Sequence, residues 1–309
     1  MHPRTLLQAI VFLCATTVAA VPQSPAPAPP ETQPVAQVSL SQTPLPQDAN
    51  QYIRQAVQHE LAEEDRDQSH WRYHFHRDDE RNNYDRDVIE TKEGNLARTV
   101  LFNGQPLTTE QVQQDEDRMR KLVSDPEERA KRIKREKEDA EKARRLLKAI
   151  PDAFIFKYDG EEEGMVRLSF VPAPHYSAPN REMQVFRALS GKLWIDRSSS
   201  RLAAIDGALF EDVTFGLGLL GRLNKGGTFK ITQRQVAPGH WELVSLELNL
   251  SGHAIIFKTV NIKQRQIFRD FQRVSDSLTM AEAFQILQKN PGAVSANNDH
   301  GDGRPQTKY

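Results

Sequence analysis

The sequence predicts an α+β protein: a large, curled antiparallel sheet, a half-barrel, with helices packed on it or inserted beside it. Two observations carry this. Segments alternating apolar and polar residues with period two follow one another from about residue 70 to 274, joined mostly by short turns, so the regular strand–helix–strand order of a parallel sheet is missing. Helix-period segments gather in one block, 108–150, with a short helix before the strands and another after them. A sheet this large must curl, and helices can then cover its concave face.

The 309-residue chain opens on "MHPRTLLQAIVFLCATTVAA". Arg4, an apolar run from Leu6 to Ala20 and the closing Val18-Ala19-Ala20 read as a secretory signal peptide, residues 1–20, cut near Ala20; the alternative is an anchor that is retained. The run is short for a transmembrane helix. Cys14, the sole cysteine, follows Leu13 rather than a small residue, so it belongs to the discarded segment and not to a lipidation site. The mature chain is then expected to be periplasmic or secreted, stable without disulfides. Residues 21–49 contain eight prolines and no aromatic residue, the composition of a disordered linker.

Residues 50–290 are expected to form one domain. Ile53, Val57 and Leu61 make one helical stripe over about Gln51 to Glu64. The period then becomes two. In "HWRYHFHRD", Trp71, Tyr73 and Phe75 point one way while Arg72, His74 and His76 point to the wet side. "YDRDVIET" and "LARTVLF" are the next strands, turned by "KEGN", and Asn103-Gly104 marks another turn. Thr108 and Gln111 fit a capping box; Asp125 before Pro126 starts a second helix. Its apolar stripe is thin (Ile133, Ala140, Ala143, Leu147, Ile150), so its C-terminal half is the part that packs. From Ala153 to Val274 the strands resume. In "HWELVSLELNL", Val244, Leu246, Leu248 and Leu250 alternate with polar residues, as in a sheet with one wet face. "TMAEAFQILQKN" is a short closing helix, and 291–309 is a polar, disordered tail.

Several motifs bear on function. Gly216, Gly218 and Gly221 have the spacing of a dinucleotide-binding turn, but Asn224, Gly226 and Gly227 break any helix after them and strand alternation resumes, so nucleotide binding is not expected. The leucines of that loop (Leu217, Leu219, Leu220, Leu223) either pack under the sheet or line the mouth of an apolar cavity. His74 and His76 could supply two ligands to a metal, with His70, Asp78 and Asp79 nearby, but the pattern specifies no full set and no metal is expected. Lys+Arg of 41 against Asp+Glu of 42 excludes a global basic footprint for nucleic acid. The basic residues of helix 126–149 are interleaved with Glu136, Glu138, Asp139 and Glu141, which reads as a solvated face and a surface for an envelope partner. No catalytic set assembles, so neither enzyme activity nor a cofactor is expected.

"GKLWIDRSSSRLAAIDGAL", "FEDVTFGLGLLGRLNKGGTFKI" and "ELNLSGHAIIFKTVNIKQRQIFRDFQRV", with the closing Phe268, Asp270, Phe271 and Val274, resemble uncharacterised exported bacterial proteins related to the outer-membrane lipoprotein-sorting and carrier (LolA-like) superfamily. The resemblance implies a half-barrel around a helical plug and an apolar cavity for a lipid, an acyl chain or a lipidated partner. Trp194, Phe210, Phe215, Leu219, Leu220 and Phe257 are the expected lining. The alternative is an interaction protein with a filled core and the charged helix as its partner surface.

Overall fold

The computed structural model describes residues 44–215, 221–254 and 258–289. The expected signal peptide, residues 21–43 of the linker and the expected tail lie outside them. A 13-stranded sheet, antiparallel in every pairing and not closed on itself, forms the body.

Helix α1 (Ala49–Arg66) begins at Asp48, whose carboxylate accepts from the Asn50 N–H at 2.9 Å. Strands β1 (His70–Asp79), β2 (Asn83–Thr91), β3 (Gly94–Phe102) and the short β4 (Gln105–Pro106) follow as a meander. The β3–β4 turn is Asn103-Gly104, with φ of 53° and 70°, as a two-residue hairpin loop requires. Helix α2 (Thr109–Ser124) carries the capping box of Thr108 and Gln111. Helix α3 (Pro126–Ala153) starts at Asp125, whose carboxylate accepts from the Glu128 N–H. Then come β5 (Phe154–Glu162), β6 (Met165–Pro172), a 3₁₀ helix (Glu182–Ala188), β7 (Leu189–Asp196), β8 (Leu202–Leu209), β9 (Val213–Phe215), β10 (Gly221–Leu223), β11 (Thr228–Ala237), β12 (His240–Ala254), β13 (Lys258–Val274) and α4 (Met280–Lys289). The sheet runs β4-β3-β2-β1-β13-β12-β11-β8-β7-β6-β5, with β10 joining β12 to β9.

One face of the sheet, here the inner face, buries Trp71, Tyr73, Val88, Phe154, Phe170, Leu193, Ile205, Ile231, Leu248 and Phe268 against α1 and the second half of α3. Within α3 no residue before Ala140 is buried, because the first half of the helix is almost wholly charged. A second, separate core lies on the other face of β2 and β3. There Ile89 and Leu96 pack against Met119 and Leu122 of α2 and Met280, Ala283 and Leu287 of α4. So the helical block is not a simple insertion: it clamps the β2–β3 end of the sheet.

Two sequence expectations need adjustment here. A register shift between β11 and β12 at Thr232/Gln233 leaves Val244 half-buried and puts Leu243 among the buried residues, since one extra residue reverses the side-chain alternation. His74 and His76 do lie opposite Trp71, but half-buried rather than wet, among charged side chains of the neighbouring strand β2. The His76 Nδ1 sits 3.2 Å from Asp85, and neighbouring Arg72 pairs with the buried Asp87.

The two ends of the sheet are blocked by helix side chains. Asn50 of α1 acts as a surrogate strand on β5: its Nδ2 donates to Phe154 O (2.8 Å) and its Oδ1 accepts from Phe156 N–H (3.0 Å). On β3, Asp115 of α2 accepts from Thr99 N–H (2.9 Å) and Arg118 donates to Ala97 O. Bare strand edges template aggregation, and these contacts occupy two backbone groups on each edge.

Candidate functional site

The inner face, where an acyl cavity was expected, is occupied. Tyr52, Ile53, Ala56 and Val57 of α1 and Ala143, Leu146, Leu147 and Ile150 of α3 fill it, every one of them buried. Phe154, Phe156, Phe170 and Phe186 close the β5 side with ring centroids 5.0–6.2 Å apart.

At the C-terminal end of α1 the core turns polar. Glu60 lies on the buried side of the helix, 2 % exposed. Its carboxylate accepts from Arg201 Nε (2.8 Å) and Nη2 (3.0 Å) and from Gln233 Nε2 (3.3 Å). Burial alone would lower the Arg201 guanidinium; the hydrogen bond and charge of Glu60, with Glu63 and Glu242, outweigh it and hold it above its ordinary value. Glu242, at the start of β12, is 4 % exposed. One turn of α1 further, Arg144 of α3 bridges Glu64 (2.6 Å) and Asp65 (2.9 Å), tying the two helices together.

These groups surround a cavity of about 470 Å³, within the size range of ligand sites. Glu60, Arg201, Trp241 and Glu242 line it from the core and the strand ends, Glu63, Glu64 and Arg144 from the helices. Asp67 and Ser69 belong to the α1–β1 loop, and His240 and Arg273 complete the wall. The Trp71 ring stands edge-on to His240 at 5.5 Å and beneath the Arg273 guanidinium at 5.7 Å. A wider depression of about 860 Å³ involves the outer face. A row of facing residues of alternating charge crosses there: Lys192, Asp206, Lys230, Glu247, Arg265 and Asp78 on β7, β8, β11, β12, β13 and β1. Such cross-strand pairs stabilise a wet sheet face without further purpose.

The residues proposed to line an acyl cavity do not share one wall. Trp194 alternates with buried Leu193 and Ile195 and so points to the outer face. Phe210, 42 % exposed, follows β8, its N–H donating to Ala188 O. Phe215 on β9 packs against the inner core with the Arg181 guanidinium 5.4 Å from its ring centroid. Leu219, Leu220 and Phe257 lie outside the described residues, as do Gly216 and Gly218. Gly221 opens a strand, β10, where a dinucleotide turn needs a helix.

Sequence reasoning missed Glu60, Arg201, Gln233 and Glu242. A signal existed for two of them. Glu60 continues the stripe of Ile53 and Val57, and Gln233 continues the alternation of Phe229 and Ile231: each is a polar residue at a position the period assigns to the core.

Among the described residues no group of three or more His, Cys, Asp or Glu is placed to hold a metal ion, and no helix is long and apolar enough to cross a membrane. Comparison with protein-family models, curated proteins and solved structures returned no match.

Proposed function

We propose that this chain is an exported interaction protein whose core is filled by its own helices and whose partner contacts are polar. The observation that carries this reading is the occupation of the inner face by α1 and the second half of α3. An acyl chain could enter there only by displacing Ile53, Leu146 and Leu147, each no more than 1 % exposed. Export rests on the signal-like first 20 residues.

The first half of α3 supplies the outward surface. Lys131, Lys134, Arg135, Lys137 and Glu138 are exposed, and no residue of this half is buried. Charges there add little to stability, so the helix is free to be charged for another reason.

Titration of delipidated full-length protein with a fluorescent fatty acid tests the reading. No saturable binding is expected. Saturable binding at micromolar concentration, lost when Ile53 is replaced by a larger residue, returns the hydrophobic-ligand reading to first place.

A further inference from the structure

We propose that the arginine cluster where the β2–β3 end of the inner face meets α2 and α3 binds a phosphoryl group, held by Arg86, Arg118 and Arg132. The proposal goes beyond the interaction reading above and does not depend on it.

Arg86 stands where the strand period calls for a core residue. It alternates with Val88, which is buried in the inner core, and faces Phe75 of β1 in register. Its guanidinium carbon lies 4.0 Å from the centre of the Tyr84 ring. Its Nε donates to Thr99 Oγ1 at 3.4 Å, a long bond. Among the described residues neither Nη has an acceptor and no carboxylate pairs with this half-buried side chain. Arginine is seldom taken out of water without such a partner.

Two further guanidiniums act on this one. Arg118 of α2 is tied to Asp115, which also accepts from Thr99, the residue that meets Arg86. Arg132 of α3 donates from Nε to Glu136 at 3.0 Å. The Nη1 of Arg118 and both Nη of Arg132 have no acceptor among the described residues. Burial and the charges of Arg118 and Arg132 hold the Arg86 guanidinium below its ordinary value, and Tyr84 and Asp115 offset only part of this. Three positive charges thus stand against two carboxylates, Asp115 and Glu136, both already hydrogen-bonded. Arg118 is exposed, and no Nη of Arg86 or Arg132 is sealed from solvent, so an anion can reach all three. One guanidinium fork matches the two oxygens of a carboxylate. Three forks, from a strand and two helices, suit the several oxygens of a phosphoryl group, which arginine recognises in the same way. Free phosphate, phosphate esters and phospholipid headgroups share that chemistry.

The experiment is calorimetric titration of the full-length protein at low ionic strength with inorganic phosphate, glycerol phosphate and acetate. Co-sedimentation with phosphatidylcholine vesicles, with and without phosphatidic acid, adds the lipid arm. Saturable binding is expected of phosphate, of glycerol phosphate, or of the vesicles only when they hold phosphatidic acid, and the arm that binds names the source. Acetate should bind more weakly. Arg86→Gln should weaken binding about tenfold, the effect of losing a charge-assisted hydrogen bond. If it lowers the melting temperature, Arg132→Gln on the helix takes its place. Arg54→Gln, at the exposed pair with Asp152, removes the same charge elsewhere and should leave binding unchanged. No saturable binding in any arm overturns the proposal, as does binding unchanged in the Arg86 and Arg132 variants or weakened equally by Arg54→Gln. Acetate bound as tightly as phosphate overturns the phosphoryl assignment.

Discussion

Glu60 of α1 and Arg201 just before β8, 141 residues apart in sequence, form a two-point ion pair at 2.8 and 3.0 Å, with side chains 2 % and 10 % exposed. The pair fixes the helix to the sheet at a chosen register. It also explains how a carboxylate survives on the buried face of a helix: two guanidinium N–H groups and Gln233 replace its water.

Removing one partner leaves the other charge buried and uncompensated. Arg201→Ala should therefore destabilise the fold by about 3–5 kcal/mol, while the double change Glu60→Leu with Arg201→Met should cost much less, because both desolvation penalties vanish together. Urea unfolding of the three proteins checks this. A double variant as unstable as Arg201→Ala would show that the pair itself, not the stranded charge, carries the stability.

Much of the fold was legible in the sequence because its signals are local. Thr108, Gln111, Asp125 and Pro126 place helix starts by their own hydrogen bonds, and Asn103-Gly104 places a turn by its φ angles. The period-two strands and their antiparallel order followed in the same way. What was not legible depends on which surfaces meet. Nothing near Ile89 and Leu96 says that α2 and α4 will cover them on the side opposite the main core. Likewise, the apolar residues of a strand read the same whether they face a ligand or a helix, and here Ile53 and Leu147 of the chain's own helices take that place. The charged cavity joins residues from five separate segments, and only Glu60, a polar residue at a core position of its helix, and its hydrogen-bond partner Gln233 behind the cavity wall announced it.

Two carboxylates should respond to pH in opposite directions. Burial pushes the Glu64 carboxyl up, and Arg144 only partly offsets it, so its folded value lies above the ordinary 4.5. In the window from 4.5 to that raised value the native state keeps a proton the unfolded chain has lost, so this group makes stability fall as pH rises. Burial also acts to raise Asp79, but hydrogen bonds from the Arg81 N–H, Arg77 and Asn82 outweigh it and hold the carboxyl below the ordinary 3.8. Its contribution is complete above 3.8 and is lost as pH falls through the lowered value. Chemical unfolding from pH 3 to 7 should show Glu64→Gln removing a downward slope above 4.5 and Asp79→Asn removing an upward one below 3.8. Slopes identical to wild type in both variants would contradict the assignment.

Asn50 should matter more than a half-buried asparagine normally does. Its amide bonds the β5 backbone on both sides, at Phe154 and Phe156, and reaches Pro151 O at 3.3 Å as well. Asn50→Ala leaves a donor and an acceptor of an edge strand without partners, at a cost of about 1–3 kcal/mol. It also exposes a template for strand addition, so aggregation on mild heating should rise. Light scattering and unfolding midpoints measure the two effects, and a variant matching wild type in both would mean that the edge is guarded by something else.

Gly191 and Gly207 face each other across β7 and β8, and Phe229 faces Gly207 from β11. Both glycines are needed for closeness rather than for unusual backbone angles. A Cβ at Gly207 would stand 2.3 Å from the Phe229 ring, which is itself only 7 % exposed and has little room to move. A Cβ at Gly191 would stand 2.0 Å from the Asp206 carbonyl oxygen, and a backbone atom cannot step aside without shifting the strand. Glycine within strands commonly marks such approaches. Overpacking a tight core costs about 1–3 kcal/mol, so Gly207→Ala should fall in that range and Gly191→Ala at or beyond its upper end. Pairing Gly207→Ala with Phe229→Leu should recover part of the loss, since the smaller side chain vacates the contested space, whereas the same partner change should not rescue Gly191→Ala. Urea unfolding of the single and paired variants decides the matter: a Gly191→Ala protein within about 0.5 kcal/mol of wild type would remove the close-approach explanation.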